Sequence, residues 1–214
     1  MCHLCVIVVW LISNFQFSIQ MDTDIYRIEY NHVEPCRGCV LIAEPFLRDQ
    51  FFGRSVIFVV EHSVESGTMG LVLNKPLPVM LADIMCDCQS TEDIPVYRGG
   101  PLAMDTLFYL HTLADVQDSL PVTDGIYLNG DFEAIRRYIL QGNPVRGHLR
   151  FFLGYAGWED GQLHEECEAD TWMVSRDGRP CLRDDTDRQW ENALSSLGDK
   201  YRIWASFPQI PELN

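Results

Sequence analysis

Glu61 and His62 close one apolar run of this chain, and His111 closes another. Imidazole exchanges protons near neutral pH and a carboxylate can orient it. Glu61, His62 and His111 are therefore the candidates for general acid–base catalysis in a hydrolase-like enzyme. A metal site would need further ligands, such as Asp105. There is no H-E-x-x-H pattern and no tight cluster, so no metal is expected. Ser55, Ser63 and Ser66 lie near His62 in sequence, but none sits in a G-x-S-x-G elbow, and a triad must meet by geometry.

A second chemistry is anion binding. The stretches "LNKP" (73–76) and "YRGGP" (97–101) each end an apolar run with polar groups at a tight turn. Asn74, Lys75 and Arg98 supply donors, and the Gly99 and Gly100 amides could form an anion-binding nest if the two turns meet in space. The bland alternative is that Lys75 and Arg98 pair with carboxylates while the glycines turn the chain. Neither a P-loop nor a G-x-G-x-x-G fingerprint is present. A third candidate is the corner in "RFFLGYAGWEDGQLHEE" (150–166). Gly154 and Gly157 allow close backbone approach, Trp158 closes the corner, and Gln162 and Glu165 stand at its rim. The acid-rich stretch beyond reads first as a solvated face.

Eight cysteines are spaced unevenly, at positions 2, 5, 36, 39, 86, 88, 167 and 181. Cys36 and Cys39 form a C-x-x-C, and Cys86 with Cys88 could complete four thiolate ligands for zinc. No Trp-Cys-Gly-Pro context surrounds the pair. The preferred reading is free thiols in a reducing cytoplasm, with no cofactor.

These residues need elements to hold them. The run "RSVIFVVEH" (54–62) is apolar at successive positions, as in a strand buried on both faces, and "LVLNKPLP" (71–78) returns as its hairpin partner. Further strands are expected at 39–47, 94–101, 106–112, 125–130, 148–158 and 171–175. Short helices are expected at 79–85 and 159–169. The segment "DFEAIRRYILQGNP" switches to helical period, with Asp131 as N-cap and Gly142 and Pro144 as stop. Thr186 and Gln189 form a T-x-x-Q capping box for a helix over 186–198. The order of elements implies an α+β single domain, a mixed or antiparallel sheet with helices packed on it. Residues 1–35 read as a peripheral segment and 36–214 as the domain. The uncharged run 1–20 reads as preceding the true start at Met21.

Composition narrows the partners. With 31 acidic against 16 basic residues the net charge is -15, which opposes nonspecific nucleic-acid binding and attraction to anionic membranes. A protein partner or a small anionic ligand in the cytoplasm remains.

Four stretches in order, "LIAEPFLRDQFFGRSVIFVVEH", "GLVLNKPLP", "YRGGPLAMDTLFYLH" and "RFFLGYAGWEDGQL", together resemble the bacterial YqgE/AlgH family, from about residue 38 to the carboxyl terminus. The matching residues include Pro45, Arg54, Glu61, His62, Asn74, Lys75, Pro76, Gly99, Gly100, Pro101, His111, Gly154, Gly157, Trp158 and Gln162. The resemblance implies a coiled sheet with a barrel-like part, surrounded by helices, in a cytosolic protein. One branch of that family has been linked to transcriptional regulation, which makes a transcription-related regulator a further alternative. The resemblance carries no agreed catalytic residues, and the cysteines lie outside its pattern.

Overall fold

Along the chain apolar side chains fill both parities of residues 56–60, and the computed structural model shows why. It describes residues 27–63, 67–85, 93–182 and 186–208. Strand β2 (Val56–Ser63) lies between β1 (Val40–Ala43) and β3 (Gly67–Val72), antiparallel to both. Val56, Phe58 and Val60 enter one core, which also holds Trp190, Leu194 and Trp204. Ile57 and Val59 enter the opposite core, with Trp158, Leu163, Cys167 and Trp172. Burial on both faces selects the continuous apolar run.

The central strand is β9 (Leu149–Trp158). One edge pairs antiparallel with β6 (Leu102–His111). β5 (Pro95–Arg98) pairs with β9 in parallel at residues 151–153, and β3 pairs with it antiparallel at 156–158. Gly154 lies between the β5-paired and β3-paired stretches of β9 at φ +73, a conformation that favours glycine. A short strand β4 (Pro76–Met80) pairs with β5 and leads into α1 (Leu81–Ile84). The hairpin β7 (Leu120–Thr123) and β8 (Ile126–Leu128) extends the β6 side, and β10 (Trp172–Ser175) flanks β1.

The main path runs β10-β1-β2-β3-β9-β6-β8-β7. The two terminal strands do not pair with each other, so the sheet is not closed. This corrects the barrel-like part expected from the resemblance: the sheet forks at β9, with β4 and β5 as a side branch. The rest of the expectation holds, an α+β domain with a mainly antiparallel sheet and packed helices. The β10 edge is covered instead of closed. The Asn31 side chain both donates to the Val174 carbonyl at 2.7 Å and accepts from its amide at 3.0 Å.

Helices complete the layers: α2 (Phe132–Leu140), α3 (Gln162–Glu168), α4 (Gln189–Ser195) and α5 (Asp199–Ala205). Asp131 caps α2 by accepting from the Glu133 amide at 3.0 Å, and Gly142 follows the helix at φ +73. The helix expected from Thr186 opens as a 3₁₀ turn before α4. Residues Thr186–Arg188 form a 3₁₀ turn, the helix begins at Gln189, and that side chain is buried. The strand at 148–158 does not break at a glycine but runs through to Trp158. Among the described residues no helix is long and apolar enough to cross a membrane. The expectations for residues 1–20 and for Cys2, Cys5, Cys86, Cys88 and Ser66 lie outside the described residues.

Candidate functional site

The turns after β3 and β5 abut. The Arg98 amide donates to the Lys75 carbonyl at 2.8 Å, and the Val72 amide donates to the Gly99 carbonyl at 2.9 Å. Asn74 fastens the loop before β2 to this corner: its Oδ1 accepts from the Val56 amide at 2.9 Å and its Nδ2 donates to the Arg54 carbonyl at 2.8 Å. That linkage brings a third cation beside Lys75 and Arg98. Arg54, at φ +52, lays its guanidinium 4.6 Å over the Trp190 ring and donates to the Phe207 carbonyl. Its Nε–H is buried and meets no acceptor among the described residues. Arg98 stacks over Phe51 at 5.6 Å.

Lys75 is half-buried and donates to the Gly53 carbonyl at 2.7 Å. Burial, then the charges of Arg54 and Arg98, hold its pKa below the usual lysine range. Burial also lowers the pKa of Arg54, against the weaker pull of Glu191. Among the described residues, none of the three cations forms an ion pair with a carboxylate. Gly99 does not turn its amide outward, as a nest would need. The Gly99 amide is spent on the Leu153 carbonyl at 2.8 Å. A Cβ on Gly99 would sit 2.1 Å from the Gly154 oxygen, and one on Gly100 would sit 2.1 Å from the Tyr155 carbonyl carbon. Both are close-approach positions against β9.

The other corner is at the far end of β3. Glu61, Thr68, Met69, Leu102, Tyr155, Gly157, Trp158 and Gln162 line an open cavity of about 530 Å³. Several polar groups at its rim are paired within the fold. Glu166 Oε2 accepts from the indoles of Trp158 and Trp172, each at 2.8 Å, and its Oε1 accepts from Gln162 at 2.8 Å. Gln162 also accepts from the Glu159 amide at 3.0 Å. His62 Nδ1 meets the Thr68 hydroxyl at 2.7 Å. Gly154 does not line this cavity; a Cβ on it would meet the Leu102 and Gly100 carbonyls at 2.6 and 2.8 Å.

His111 does not join Glu61 and His62. It is fully buried and pairs with Leu149, whereas Glu61 pairs with Met69, which pairs with Gly157. Positions 149 and 157 of one strand are roughly 26 Å apart at the ordinary strand rise. His111 Nε2 lies 2.8 Å from the Asn129 carbonyl, and Nδ1 accepts from the Leu113 amide at 3.2 Å. Those partners define a neutral tautomer, and burial lowers the pKa. The expected acid–base trio is therefore divided between two ends of β9. Among the described residues, no group of three or more His, Cys, Asp or Glu side chains is placed to hold a metal.

A family model described as AlgH-like matches residues 40–202. The chain belongs to the AlgH-like family. A UPF0301 protein of Bacteroides fragilis is 52% identical over 197 residues, covering 92% of this chain and 100% of that protein. One of Cytophaga hutchinsonii is 35% identical over 181 residues, 83% of this chain and 98% of that one. Among solved structures, the AlgH protein of Pseudomonas aeruginosa matches with TM-score 0.62 and 26% identity, covering 83% of this chain and 98% of its own. A protein of Corynebacterium diphtheriae gives TM-score 0.66 at 24% identity, covering 84% and 95%, and bears on the fold alone. The family has no established biochemical activity.

Within the AlgH-like domain, two residues were absent from the sequence-derived site. Arg54 joins it through a turn before a buried strand, and its signal was an arginine at the mouth of an apolar run. Arg150 is 3% exposed, donates to the Cys181 carbonyl at 3.0 Å and lies 4.2 Å from the Tyr97 ring. A charge inside the otherwise uncharged run 149–158 was its signal.

Proposed function

We propose that this AlgH-like protein acts by binding a small anion, phosphate- or carboxylate-bearing, at the corner of Arg54, Lys75 and Arg98. One observation carries the reading: three cations converge, half-buried, without a carboxylate partner among the described residues, in a chain of net charge -15. Such a chain has carboxylates to spare for neutralising this corner, yet among the described residues none forms an ion pair there, and Glu191 acts on Arg54 only from a distance. Lys75 is held in its charged form at a cost, from burial and from its two neighbours. An anion would relieve both and give the buried Arg54 Nε–H an acceptor.

Titration calorimetry with inorganic phosphate and with citrate tests this. The expected result is saturable, salt-sensitive binding that weakens about tenfold or more in Lys75→Gln and in Arg98→Gln, the size of a lost charged hydrogen bond. Absence of saturable binding to both anions, or equal affinity in the variants, overturns it.

A further inference from the structure

The cysteine pair at 36 and 39 is built differently from the other thiols. Cys36-Arg37-Gly38-Cys39 is a β-turn: the Cys39 amide donates to the Cys36 carbonyl at 3.1 Å, and Gly38 takes φ +83. The first and last Cα atoms of such a turn lie within ~7 Å, which overlaps the span of a disulfide. The Cys39 sulfur folds back over the turn, where the Cys36 amide donates to it at 3.3 Å. The turn is locked from below, since the Gly38 amide donates to the Val59 carbonyl at 2.8 Å and Gly178 packs on its carbonyl.

The pair is also asymmetric. Cys39 is fully buried, while Cys36 is partly exposed and lies 3.7 Å from the Arg176 guanidinium. Cys36 is thus the member that a small disulfide can reach, with a cation beside its sulfur to draw in an anionic disulfide. Burial pushes the Cys39 thiol up to about 12, and the nearby Cys167 thiol likewise to about 12, so neither competes as the first attacker.

We propose that Cys36 and Cys39 form a reversible dithiol–disulfide site that exchanges with low-molecular-weight disulfides, Cys36 attacking and Cys39 resolving. In the first step the Cys36 thiolate attacks one sulfur of a disulfide RSSR. A Cys36–S–S–R bond forms, the RS–SR bond breaks, and RS⁻ leaves. In the second step Cys39 gives its proton to solvent and attacks the Cys36 sulfur, expelling the second RS⁻. Both leaving thiolates take up protons. The two cysteines are oxidised, and one RSSR is reduced to two RSH. Thiol–disulfide exchange is reversible, so the reverse reaction with RSH is equally open.

The test uses the full-length chain, reduced and then incubated with oxidised glutathione, alkylated, digested and mapped by mass spectrometry. The expected product is a Cys36–Cys39 disulfide without bound glutathione. Cys39→Ser should accumulate glutathione on Cys36, and Arg176→Ala should slow modification of Cys36 about threefold or more. If Cys39→Ser does not fold, the wild-type map and the Arg176→Ala rate decide. A wild-type chain that keeps Cys36 glutathionylated with Cys39 reduced overturns the proposal. So does a Cys36–Cys167 link, or a pair that stays reduced while other thiols react.

Discussion

The basic corner at Lys75 and the acidic corner at Trp158 stand at opposite ends of β3, and both lean on β9. They handle polarity in opposite ways. At the acidic corner Glu166 accepts from three side-chain donors and Gln162 bridges the helix start, so its principal polar groups are satisfied within the fold. At the basic corner three cations share backbone carbonyls and aromatic faces, and one buried N–H has no acceptor among the described residues. A constellation whose members answer one another is architecture. A constellation with donors in excess is where a ligand lowers the free energy.

Four measurements break or sharpen this contrast. The largest effect belongs to Gly99→Ala. Its new Cβ meets β9 backbone, which cannot swing aside as a side chain can, so urea unfolding should show a loss of about 3 kcal/mol or more. A variant that kept its stability and lost anion binding would instead return Gly99 to the role of an anion nest. Next is Glu166→Ala, which strands the indoles of Trp158 and Trp172. It should cost about 2 kcal/mol and shift tryptophan fluorescence while leaving anion affinity unchanged. An equal loss of anion affinity would couple the two corners and end the contrast.

Lys75→Gln comes third. Anion affinity should fall about tenfold, while stability holds or rises slightly because repulsion with Arg54 and Arg98 disappears. A clear loss of stability would make Lys75 a structural strut. The smallest effect is the pH dependence from His111. Its native pKa lies below the unfolded value of about 6.5, so the unfolded state binds more protons as pH falls below that value. The contribution is complete above it and is lost as pH drops toward the native pKa. Urea midpoints from pH 7.5 down to about 5.5 should therefore decline, and the decline should flatten in His111→Gln. Equal slopes in the two proteins would mean that the histidine is not held neutral.

Much of the scaffold was legible from pattern. The unbroken apolar run at 56–60 announced a strand covered on both faces, and Asp131 with Gly142 marked α2 at both ends, because those signals act within a few residues. The helix expected over 186–198 is helical from Thr186 but opens as a 3₁₀ turn, with α-helix only from the buried Gln189, a tightening that periodicity does not signal. The site was legible in part. Lys75 and Arg98 were visible as rare charges at strand ends, while Arg54 was left out because a turn before β2 carries no sign of where its side chain goes.

By itself, then, the sequence determined the acidic balance, the two-faced strands, the family motifs and the glycines that permit tight crossings. Each follows from residue type or from short-range periodicity. Tertiary structure alone decided that β9 forks the sheet instead of letting it close, and that His111 is buried far from His62. It alone brought Arg54 onto the corner of Lys75 and Arg98, and folded Cys39 back on Cys36. Those outcomes depend on which strands pair and in what register, and a one-residue change of register carries a side chain to the opposite face.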